Sequence, residues 1–374
     1  MKKNKILVFI GGSYVSGLEI STLHLINSLK LDGHDVRCVV NGWNDGIFKQ
    51  KLDQYNIPWY EVKLGWLYIT KPFWTLDTLV HWPGAFWTCR KILKEFQPDI
   101  CHFSSYAPMI MLFPLLKGRN CVYNLQEPHL PTKKDLFIYR LLNKRTRIFT
   151  TVSKKIAGMM LDLQVPEKKI RVIYNGVPLI PEGPLKPPGP TVVFGIIGQI
   201  VPWKGHETLI DAVGQLVASS ACEFIVCIFG NDKNEYAGKL RTKIAEKNLD
   251  RYFEWKGFVS DQASIYNQVD VVVVPSLSEE PCSLSILESM MYGKGLIVSD
   301  RGGNPELIGH KETGFVFAAG DFRSLASYIL SFLQDPGLIT QMGHAASRKA
   351  AEKYTDTRMK DEYIMAYDES LVEK

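Results

Sequence analysis

The sequence predicts an α/β protein built from two doubly wound, Rossmann-like parallel-sheet domains. Three observations carry this prediction. The chain has 374 residues, more than one ordinary hydrophobic core accommodates. Short apolar runs alternate with longer helical segments along its whole length. A proline-rich segment divides this pattern into two halves of similar size.

The predicted strands are short, largely continuous apolar runs, as expected for strands that are buried on both faces of a parallel sheet. In the first half they are Ile6–Ile10, Val36–Val40, Asp99–Phe103, Cys121–Leu125 and Ile148–Val152. In the second half they are Val192–Ile197, Glu223–Phe229, Tyr252–Trp255, Val271–Val274, Gly295–Val298 and Gly314–Val316. The four valines at 271–274 are typical of a central strand, because β-branched side chains favour the extended backbone.

The segment between Pro178 and Pro190 predicts the domain boundary. Six of its thirteen residues are proline, which excludes a helix or a central strand and favours a semi-rigid connector. We therefore expect an N-terminal domain at 1–180 and a C-terminal domain at 190–356. A last helix at about 357–374 is expected to pack back on the first domain.

Composition excludes several classes of protein. The chain is 46% hydrophobic and 22% charged, which is typical of a globular protein rather than a disordered one. Its seven cysteines are scattered, without a C-x-x-C pair, and indicate reduced thiols in the cytosol rather than a disulfide framework or a zinc site. No run approaches the roughly 20 apolar residues that span a bilayer. The basic start of the chain precedes only a five-residue apolar run, too short for a signal peptide.

Charge is distributed unevenly along the chain. Residues 1–185 contain 25 Lys and Arg against 14 Asp and Glu, a net charge of +11, whereas residues 186–374 carry a net charge of −6. Six of the eight tryptophans lie in the basic half. A basic, aromatic-rich half favours an anionic partner, namely membrane lipid, a phosphorylated lipid or, less specifically, nucleic acid.

Chemistry-bearing residues concentrate between 270 and 308. In parallel sheets ligands bind beyond the carboxyl ends of the strands, so the cleft between the strand ends of two such domains is the predicted site. Glu280 lies in a loop after a strand, and Glu288 lies in the helix predicted at 283–292, which Ser283 can cap. The N-terminus of such a helix favours an anion. The loop at 301–306 offers backbone N–H groups with little side-chain bulk.

These residues resemble the signature of the retaining GT-B glycosyltransferases of family 4: two glutamates separated by seven residues, followed by a G-G-x-P-E loop. Further fragments resemble the same family in the same order. They are Gly11-Gly12, Ser16-Gly17-Leu18-Glu19, Asp32–Val36, Tyr174–Val177, Gly198–His206 and Phe229-Gly230. Each fragment alone is weak evidence, whereas their order and spacing together are specific.

The resemblance implies a function and a site. A sugar would be transferred, with retention, from a UDP- or GDP-sugar to a saccharide or lipid-linked acceptor in polysaccharide or glycolipid synthesis. The first domain would lie on the acceptor side and the second would bind the donor. No cofactor and no metal are expected, because a lysine and helix dipoles neutralise the diphosphate and no D-x-D motif follows a strand.

Site residues carry over from the family one by one. Glu280 would contact the donor sugar and Glu288 the ribose hydroxyls. Lys204 would neutralise the departing diphosphate. The remaining donor contacts would come from Gly17, from the backbone of Ser283, Leu284 and Ser285, and from the region of Phe258 beside the base.

Three departures from the family pattern concern the donor and acceptor sides. Gln199 stands where the family usually has a second cation that contacts the diphosphate. Cys282-Ser283 replaces a Phe-Gly pair. Gln126 stands where the family usually has a histidine, so either His129 acts in its place or Gln126 and Glu127 contact the sugar.

Structural interpretations remain open for several of these residues. Glu280, Glu288 and Lys204 taken singly could be ordinary loop, helix and surface residues, and His129 could simply be exposed. Cys282 is better explained as a small packed thiol than as a nucleophile, because no histidine base accompanies it.

A basic segment predicts contact with an anionic membrane surface. Residues 131–150 combine six cations with large apolar side chains and are expected to form a basic amphipathic helix; packing on its own domain is the alternative. Aromatic residues upstream favour an acceptor or membrane surface, with burial in the core as the alternative. They are Trp66, Tyr68, Phe73, Trp74, Trp82, Phe86 and Trp87.

We therefore expect a cytoplasmic glycosyltransferase, peripheral on the inner face of the membrane, with no nucleic acid partner. Two other functions stay open. One is another GT-B enzyme, such as a nucleotide-sugar epimerase or a phosphorylase. The other is a catalytically degenerate binding or scaffold subunit, which the substitutions at Gln199, Gln126 and Cys282 would favour.

Overall fold

The computed structural model describes residues 3–65, 72–180, 188–219 and 222–372. The chain divides into two compact units. The first unit comprises Met1–Pro178 and Asp356–Lys374, and the second comprises Leu179–Thr355. Each unit is a parallel sheet with flanking helices, so the predicted class of two Rossmann-like parallel-sheet domains is confirmed. Seven residues of the proline-rich connector, 181–187, lie outside the described residues.

The first unit contains a seven-stranded sheet in which all pairings are parallel. Its strands are β1 (Lys5–Ile10), β2 (Asp35–Asn41), β3 (Trp59–Val62), β4 (Ile100–Phe103), β5 (Cys121–Leu125), β6 (Thr146–Thr151) and β7 (Ile170–Val172). Their order is β3-β2-β1-β4-β5-β6-β7. The sequence predicted the five inner strands and missed β3 and β7, because edge strands are partly exposed and carry polar residues.

Helices connect the strands of the first unit. They are α1 (Gly17–Leu31), α2 (Ile47–Gln54), α3 (Pro72–Phe96), α4 (Tyr106–Met111), α5 (Lys133–Leu142) and α6 (Lys154–Asp162). The core between sheet and helices includes Ile6, Val8, Ile26 and Leu29, all of them buried.

The second unit contains a six-stranded parallel sheet. Its strands are β8 (Val192–Ile197), β9 (Phe224–Phe229), β10 (Phe253–Gly257), β11 (Val271–Val274), β12 (Gly295–Ser299) and β13 (Phe315–Phe317), in the order β10-β9-β8-β11-β12-β13. All six were predicted, with ends that differ by at most two residues. The valines of β11 are at most 5% exposed, as a strand covered on both faces requires.

Seven helices flank this sheet in the part of the chain that the structure describes. They are α7 (His206–Ser219), α8 (Glu235–Glu246), α9 (Gln262–Tyr266), α10 (Leu284–Met291), α11 (Asn304–Leu307), α12 (Phe322–Gln334) and α13 (Gly337–Lys353). α12 packs on α7, and α13 packs on α10 and on β12.

The last helix, α14 (Asp356–Val372), belongs to the first unit. Its Tyr367 hydroxyl lies 2.9 Å from Nδ1 of the buried His102 on β4. Arg171 of β7 forms an ion pair with Glu369. Lys360 contacts Asp32, with 3.3 Å between Nζ and Oδ1. The chain therefore returns to the first unit through both apolar packing and polar contacts.

The predicted basic helix at 131–150 is too long: only α5 (Lys133–Leu142) is helical, and the end of the predicted range overlaps the strand that was predicted at Ile148–Val152. α5 ends at Leu142, and after a short turn the chain enters the buried strand β6. Ile148 and Phe149 pair with β5 instead of continuing the helix. The physical reason is the β-branched and aromatic composition of 146–151, which favours a strand once β5 is available as a neighbour.

The aromatic residues of α3 are not a core. Phe73 is 83% exposed, and Trp74, Trp82 and Trp87 are also exposed, whereas Phe86 is half-buried. Trp66 and Tyr68 lie outside the described residues.

In the four described ranges, no helix combines the length and the apolar composition needed to cross a membrane. All seven cysteines are free thiols, and every one but Cys222 is buried. Burial raises the pKa of Cys89 to about 12 and that of Cys227 to about 11, so these thiols stay protonated.

Candidate functional site

The order of the second sheet reverses between β8 and β11. In doubly wound sheets, the crevice at such a reversal is where ligands bind, beyond the carboxyl ends of the two strands. The loop after β8 carries Lys204, and the loop after β11 carries Glu280. The two predicted residues of opposite charge therefore follow the two strands that flank the reversal.

The loop after β8 packs tightly against the loop after β11. Gly205 has φ +75°, and a Cβ built on it would lie 1.9 Å from the carbonyl oxygen of Pro275, so no other residue fits without a shift. The N–H of Leu277 donates to the carbonyl of Trp203 at 2.7 Å. Nζ of Lys204 lies 4.4 Å from the ring centre of Trp203. These contacts fix the position of the lysine.

Lys204 and Glu280 form an ion pair. Nζ of Lys204 contacts Oε1 of Glu280. The second carboxylate oxygen of Glu280, Oε2, accepts a hydrogen bond from the hydroxyl of Ser276. The side chain of Glu280 is only 7% exposed and that of Lys204 is 18% exposed. A buried carboxylate is stable only when it is paired and hydrogen-bonded, and here both of its oxygens have a partner.

The glycine loop at 301–306 holds the backbone of Glu280. Gly302 has φ +61°, and a Cβ on it would lie 2.1–2.5 Å from the backbone N, C and O atoms of Glu280. The N–H of Gly303 donates to the carbonyl of Glu280 at 2.8 Å. The glycines therefore allow close approach of one loop to the other, and the N–H of Gly303 is used within the protein rather than offered to a ligand.

The first turn of α10 follows Glu280. Ser283 occupies the N-cap position but makes no side-chain cap, which corrects the expectation that it caps the helix. Its hydroxyl lies 3.0 Å from the hydroxyl of Ser285, and this contact takes the place of the cap. Leu284 and Ser285 are half-buried in the same turn. The positive end of the helix dipole at this turn favours a negatively charged group.

Glu288 belongs to a separate polar cluster between α9 and α10. Gln262 Nε2 donates to its Oε1 at 2.6 Å, and the Tyr266 hydroxyl donates to its Oε2 at 2.7 Å. The residue as a whole is half-buried, but desolvation of its carboxylate raises its pKa to about 7, an effect that the Tyr266 hydrogen bond opposes. Glu288 is thus poised between its neutral and ionised forms near neutral pH.

Two predicted donor-side residues lie at the surface. Gln199 is exposed just after Gly198, and Phe258 is 77% exposed just after Gly257. The ends of β8 and β9 lie close together beside them. A Cβ built on Gly230, after β9, would lie only 2.2 Å from the carbonyl oxygen of Gly198, after β8. Both side chains are therefore accessible to a ligand at the carboxyl edge of the sheet.

The sequence missed two buried polar residues of this edge. His206, the first residue of α7, is 2% exposed; burial and the charge of Lys204 lower its pKa to about 4, so it is neutral. Asn304 is fully buried, and neither atom of its side-chain amide has a hydrogen-bond partner within the described residues. Both residues lie in segments that were selected from the sequence, 198–206 and 301–306, but their burial depends on tertiary packing and could not be predicted from the sequence.

In the first unit, the sheet order reverses between β1 and β4. The loop after β1 contains Gly12, where a Cβ would lie 1.9 Å from Oε1 of Glu19. Oε2 of Glu19 accepts from the N–H and the hydroxyl of Ser16, at 2.9 and 2.6 Å. Gly17, predicted to approach the donor, is the exposed first residue of α1.

Glu19 is a buried carboxylate that the sequence reasoning left out of the site. It is 4% exposed, and burial raises its pKa, opposed by the hydrogen bonds from Ser16 and supported by the negative charge of Glu127. A signal was present: the S-x-x-E spacing of Ser16 and Glu19 marks a helix start with a reciprocal cap.

The other predicted residues of this unit follow β5. Gln126 is half-buried and Glu127 is exposed. His129 is 15% exposed, lies between the rings of Tyr106 and Tyr139, and has Nδ1 at 3.8 Å from Oδ1 of Asp135. Burial lowers its pKa, and the charges of Glu127 and Asp135 act in the opposite direction. Glu127 thus interacts electrostatically with both Glu19 and His129, which places these three groups in one region.

No group of three or more His, Cys, Asp or Glu side chains within the described ranges is arranged to hold a metal ion. The charged groups at the carboxyl edge of the second unit include Lys204, the start of α10, and the carboxylates of Glu280 and Glu288, which have separate partners. This set can bind an anion beside Lys204, while the carboxylates accept hydrogen bonds from hydroxyl groups.

Comparison with known sequences matches almost the whole chain to two family models. The model of the glycosyl transferases group 1 matches residues 182–350, and that of Glycosyltransferase Family 4 matches residues 15–179. Among curated proteins, the capsular polysaccharide biosynthesis glycosyltransferase CapM of Staphylococcus aureus is 27% identical over 188 residues, which cover 48% of this chain and 47% of CapM. The chain spans about half the length of the curated relatives it matches.

Comparison with solved structures extends over both units. A glycosyltransferase from Rickettsia africae superposes with a TM-score of 0.82 at 21% identity, with full coverage of both chains. Alr3699/HepE from Anabaena, solved in complex with UDP and glucose, superposes with a TM-score of 0.79 at 20% identity, covering 98% of this chain and 99% of HepE. At these identities, the likeness establishes the fold.

Proposed function

Because the chain belongs to the group 1 glycosyltransferases with the GT-B fold, we propose that it transfers a sugar from a nucleotide-diphosphate sugar to a saccharide or lipid-linked acceptor, with retention of anomeric configuration. The observation that carries the proposal is the Lys204–Glu280 pair at the reversal of the second sheet. The pair places a cation that can bind a diphosphate directly beside a carboxylate that can bind a sugar.

Lys204 acts on the leaving group. As the bond between the anomeric carbon and the diphosphate oxygen breaks, negative charge grows on the diphosphate, and a preorganised cation stabilises that charge most in the transition state. The positive end of α10 contributes in the same sense. The lysine is already held by Trp203 and Glu280, so little reorganisation accompanies the step.

Glu280 acts on the sugar. Its carboxylate accepts hydrogen bonds from sugar hydroxyls and stabilises the positive charge that develops at the anomeric carbon. The acceptor hydroxyl attacks from the side of the departing diphosphate, whose oxygen takes the acceptor proton, and this front-side attack gives retention. Glu288 accepts hydrogen bonds from the ribose, and Phe258 lies beside the base.

UDP is the first nucleotide to test, since HepE was solved with UDP, and GDP stays open. We propose no metal or cofactor, because Lys204 and the start of α10 supply the positive charge. The acceptor side falls to the first unit, where Gln126, Glu127 and His129 lie at the carboxyl edge of the sheet. A cytoplasmic position against the membrane fits a lipid-linked acceptor and the net charge of +11 in the first 185 residues.

The test is a panel of UDP- and GDP-sugars with saccharide and lipid-linked acceptors, followed by mass spectrometry of donor and product. We expect one donor to be consumed only when an acceptor is present, and NMR of the product to show the donor's anomeric configuration. Glu280→Gln should bind donor but lose most of its turnover.

Other outcomes would redirect the assignment. Interconversion of the donor sugar without acceptor would identify an epimerase. Calorimetry that detects neither UDP nor GDP would favour a binding or scaffold subunit. An inverted product would retain the transferase and remove the front-side mechanism.

A further inference from the structure

The helix α3 has one apolar side that packs into the first unit and a second apolar side that does not. The packed side is buried and repeats at helical spacing. It consists of Thr78, Ala85, Cys89, Ile92 and Phe96. One such stripe suffices to hold a surface helix on its domain, so a second stripe needs another explanation.

The second stripe lies on the opposite side of α3. Its members alternate at intervals of three and four residues, which aligns them along one face of a helix. They are Phe73, Leu76, Val80, Pro83 and Trp87. Phe73 is 83% exposed, Val80 67% and Trp87 60%. Contiguous exposed apolar surface of this kind marks an interaction site in proteins.

Cations continue the exposed stripe where its apolar residues end. Arg90, Lys91 and Lys94 are all exposed on the last two turns of α3. The guanidinium of Arg90 lies 4.9 Å from the ring centre of Trp87, which joins the cationic and apolar parts. The acidic residues of α3 are Asp77 and Glu95, and Oε1 of Glu95 lies 3.8 Å from Nζ of Lys91.

We propose that this exposed stripe lies in the headgroup region of an anionic lipid bilayer and docks the protein on the membrane. Tryptophan prefers this depth, because its ring is apolar and its N–H is polar, and Lys and Arg beside an apolar face reach the lipid phosphates. This inference deepens the membrane position given in the proposed function, because it names the surface that contacts the lipid, and vesicle binding tests it separately from the transferase activity.

Charge complementarity distinguishes a bilayer from a second copy of the chain. In two copies paired through the stripe, Arg90, Lys91 and Lys94 of one copy would face either the same cations of the other or its apolar N-terminal turns, and neither neutralises them, whereas anionic lipid does. Pro83, a member of the stripe, and the adjacent Gly84 present no large side chain, so this part of α3 lacks the regular large side chains whose interdigitation a helix–helix seam requires. A lipid surface makes no such demand.

The test is flotation of the full-length protein with vesicles of phosphatidylcholine alone, or with about one third phosphatidylglycerol. We expect binding to the anionic vesicles. Phe73→Gln, Val80→Gln and Trp87→Gln together should lower the partition coefficient by at least about tenfold, because three membrane-buried side chains are lost. Exposed positions tolerate glutamine in a helix, and circular dichroism verifies the fold.

A matched control places the same kind of change elsewhere on the first unit. Leu31, Leu161 and Met365 are exposed apolar side chains on α1, α6 and α14. Their combined replacement by glutamine should leave vesicle binding within about twofold of wild type. Equal loss in both triple variants, or none in the α3 variant, would overturn the proposal.

A charge variant separates lipid from self-association. Replacing Arg90, Lys91 and Lys94 by glutamine should weaken binding to anionic vesicles by roughly a hundredfold, at about 1 kcal/mol for each cation. Sedimentation velocity provides the contrary outcome. If the wild type is a dimer, and the apolar α3 variant is a monomer with unchanged vesicle binding, the stripe contacts a second copy. That result would overturn the membrane proposal.

Discussion

Nζ of Lys204 contacts Oε1 of Glu280, and the two residues follow the two adjacent strands between which the order of the second sheet reverses. The pair is enclosed: Ser276 takes the other carboxylate oxygen, and Gly302 lies against the backbone of Glu280. The pair therefore holds two loops together as well as carrying the charges of the proposed reaction.

Lys204→Ala should lower both activity and stability. Loss of the cation that stabilises the diphosphate is expected to reduce kcat/KM by about 10²–10³-fold. Removing one partner of a buried pair leaves the other charge uncompensated, at about 3–5 kcal/mol. Steady-state kinetics and urea unfolding measure the two effects. Lys239→Ala, which breaks an exposed pair with Glu235 on α8, should change neither.

The double variant Lys204→Ala/Glu280→Gln separates the two roles of the pair. It should recover part of the stability that Lys204→Ala loses, because the unpaired charge is gone, while activity stays low. Additive losses of stability would show that the two side chains do not interact in the folded protein.

Gly302→Ala should disturb Glu280 more than backbone strain alone explains. Both Gly302 and Gly46 have a positive φ, +61° and +83°, so alanine costs about 1–2 kcal/mol at either position. A Cβ at Gly46 meets nothing within 4 Å, whereas at Gly302 it collides with the backbone of Glu280. We expect Gly302→Ala to lose at least about 3 kcal/mol of unfolding free energy and most of its kcat.

Gly46→Ala is the matched control for that experiment. It should lose only the strain energy and keep wild-type kcat. Equal effects of the two substitutions on stability and kcat would mean that the 301–306 loop does not position Glu280.

The inner strands and the burial of their side chains were predictable because both depend on local composition. A run such as Val271–Val274 specifies both its backbone and its burial, and every inner strand was of this kind. β3 and β7 were missed because a strand with one neighbour needs few apolar residues. The helix predicted at 131–150 was too long because the mixture of cations and apolar residues in α5 continues through the following turn. Pairing with the neighbouring strand β5 decides where the helix ends.

The candidate site could be predicted for charged residues that match the family pattern, but not for the residues that contact them. Lys204, Glu280 and Glu288 could be selected from the resemblance, but their partners could not. Gln262 and Tyr266 lie on α9, 26 and 22 residues before Glu288, and only the packing of α9 on α10 brings them to its carboxylate. Ser283 shows the converse, since a good capping residue in the right place hydrogen-bonds its neighbour instead.

Glu288 should make the stability of the protein depend on pH. Desolvation raises its pKa in the folded protein to about 7, from an ordinary value of 4.5. The folded state therefore holds a proton that the unfolded state releases between these values, and this contribution to stability is present below about pH 4.5 and lost as the pH rises through 7. Relative to Glu288→Gln, wild type should lose up to about 3 kcal/mol between pH 4.5 and 8.

Urea unfolding of both proteins across this pH range measures the difference. Glu246→Gln, a replacement of an exposed carboxylate on α8, reports the effect of the substitution by itself. A constant difference between wild type and Glu288→Gln at every pH would mean that the carboxylate is not desolvated in the folded protein.

Tyr266→Phe should shift the pH dependence of nucleotide binding. The Tyr266 hydroxyl donates to Oε2 of Glu288 at 2.7 Å and favours the ionised form, which under the proposed function accepts hydrogen bonds from the ribose. Without it, the pKa of Glu288 rises further, by about 1–2 units for a hydrogen bond to a charged group. UDP affinity, measured by calorimetry over a pH series, should then reach its plateau at higher pH than in wild type.

The substitution leaves the packing of α9 in place, because a phenylalanine ring still stacks on Tyr292, whose centre lies 4.6 Å from that of Tyr266. Tyr292→Phe removes a hydroxyl from the other ring of the same stack and should keep the wild-type pH profile. The ionisation of UDP itself is common to all three proteins, so the shift between their profiles isolates the carboxylate. If the profiles of Tyr266→Phe and Tyr292→Phe coincide, the hydrogen bond from Tyr266 does not tune nucleotide binding, and Glu288 loses its assignment to the ribose.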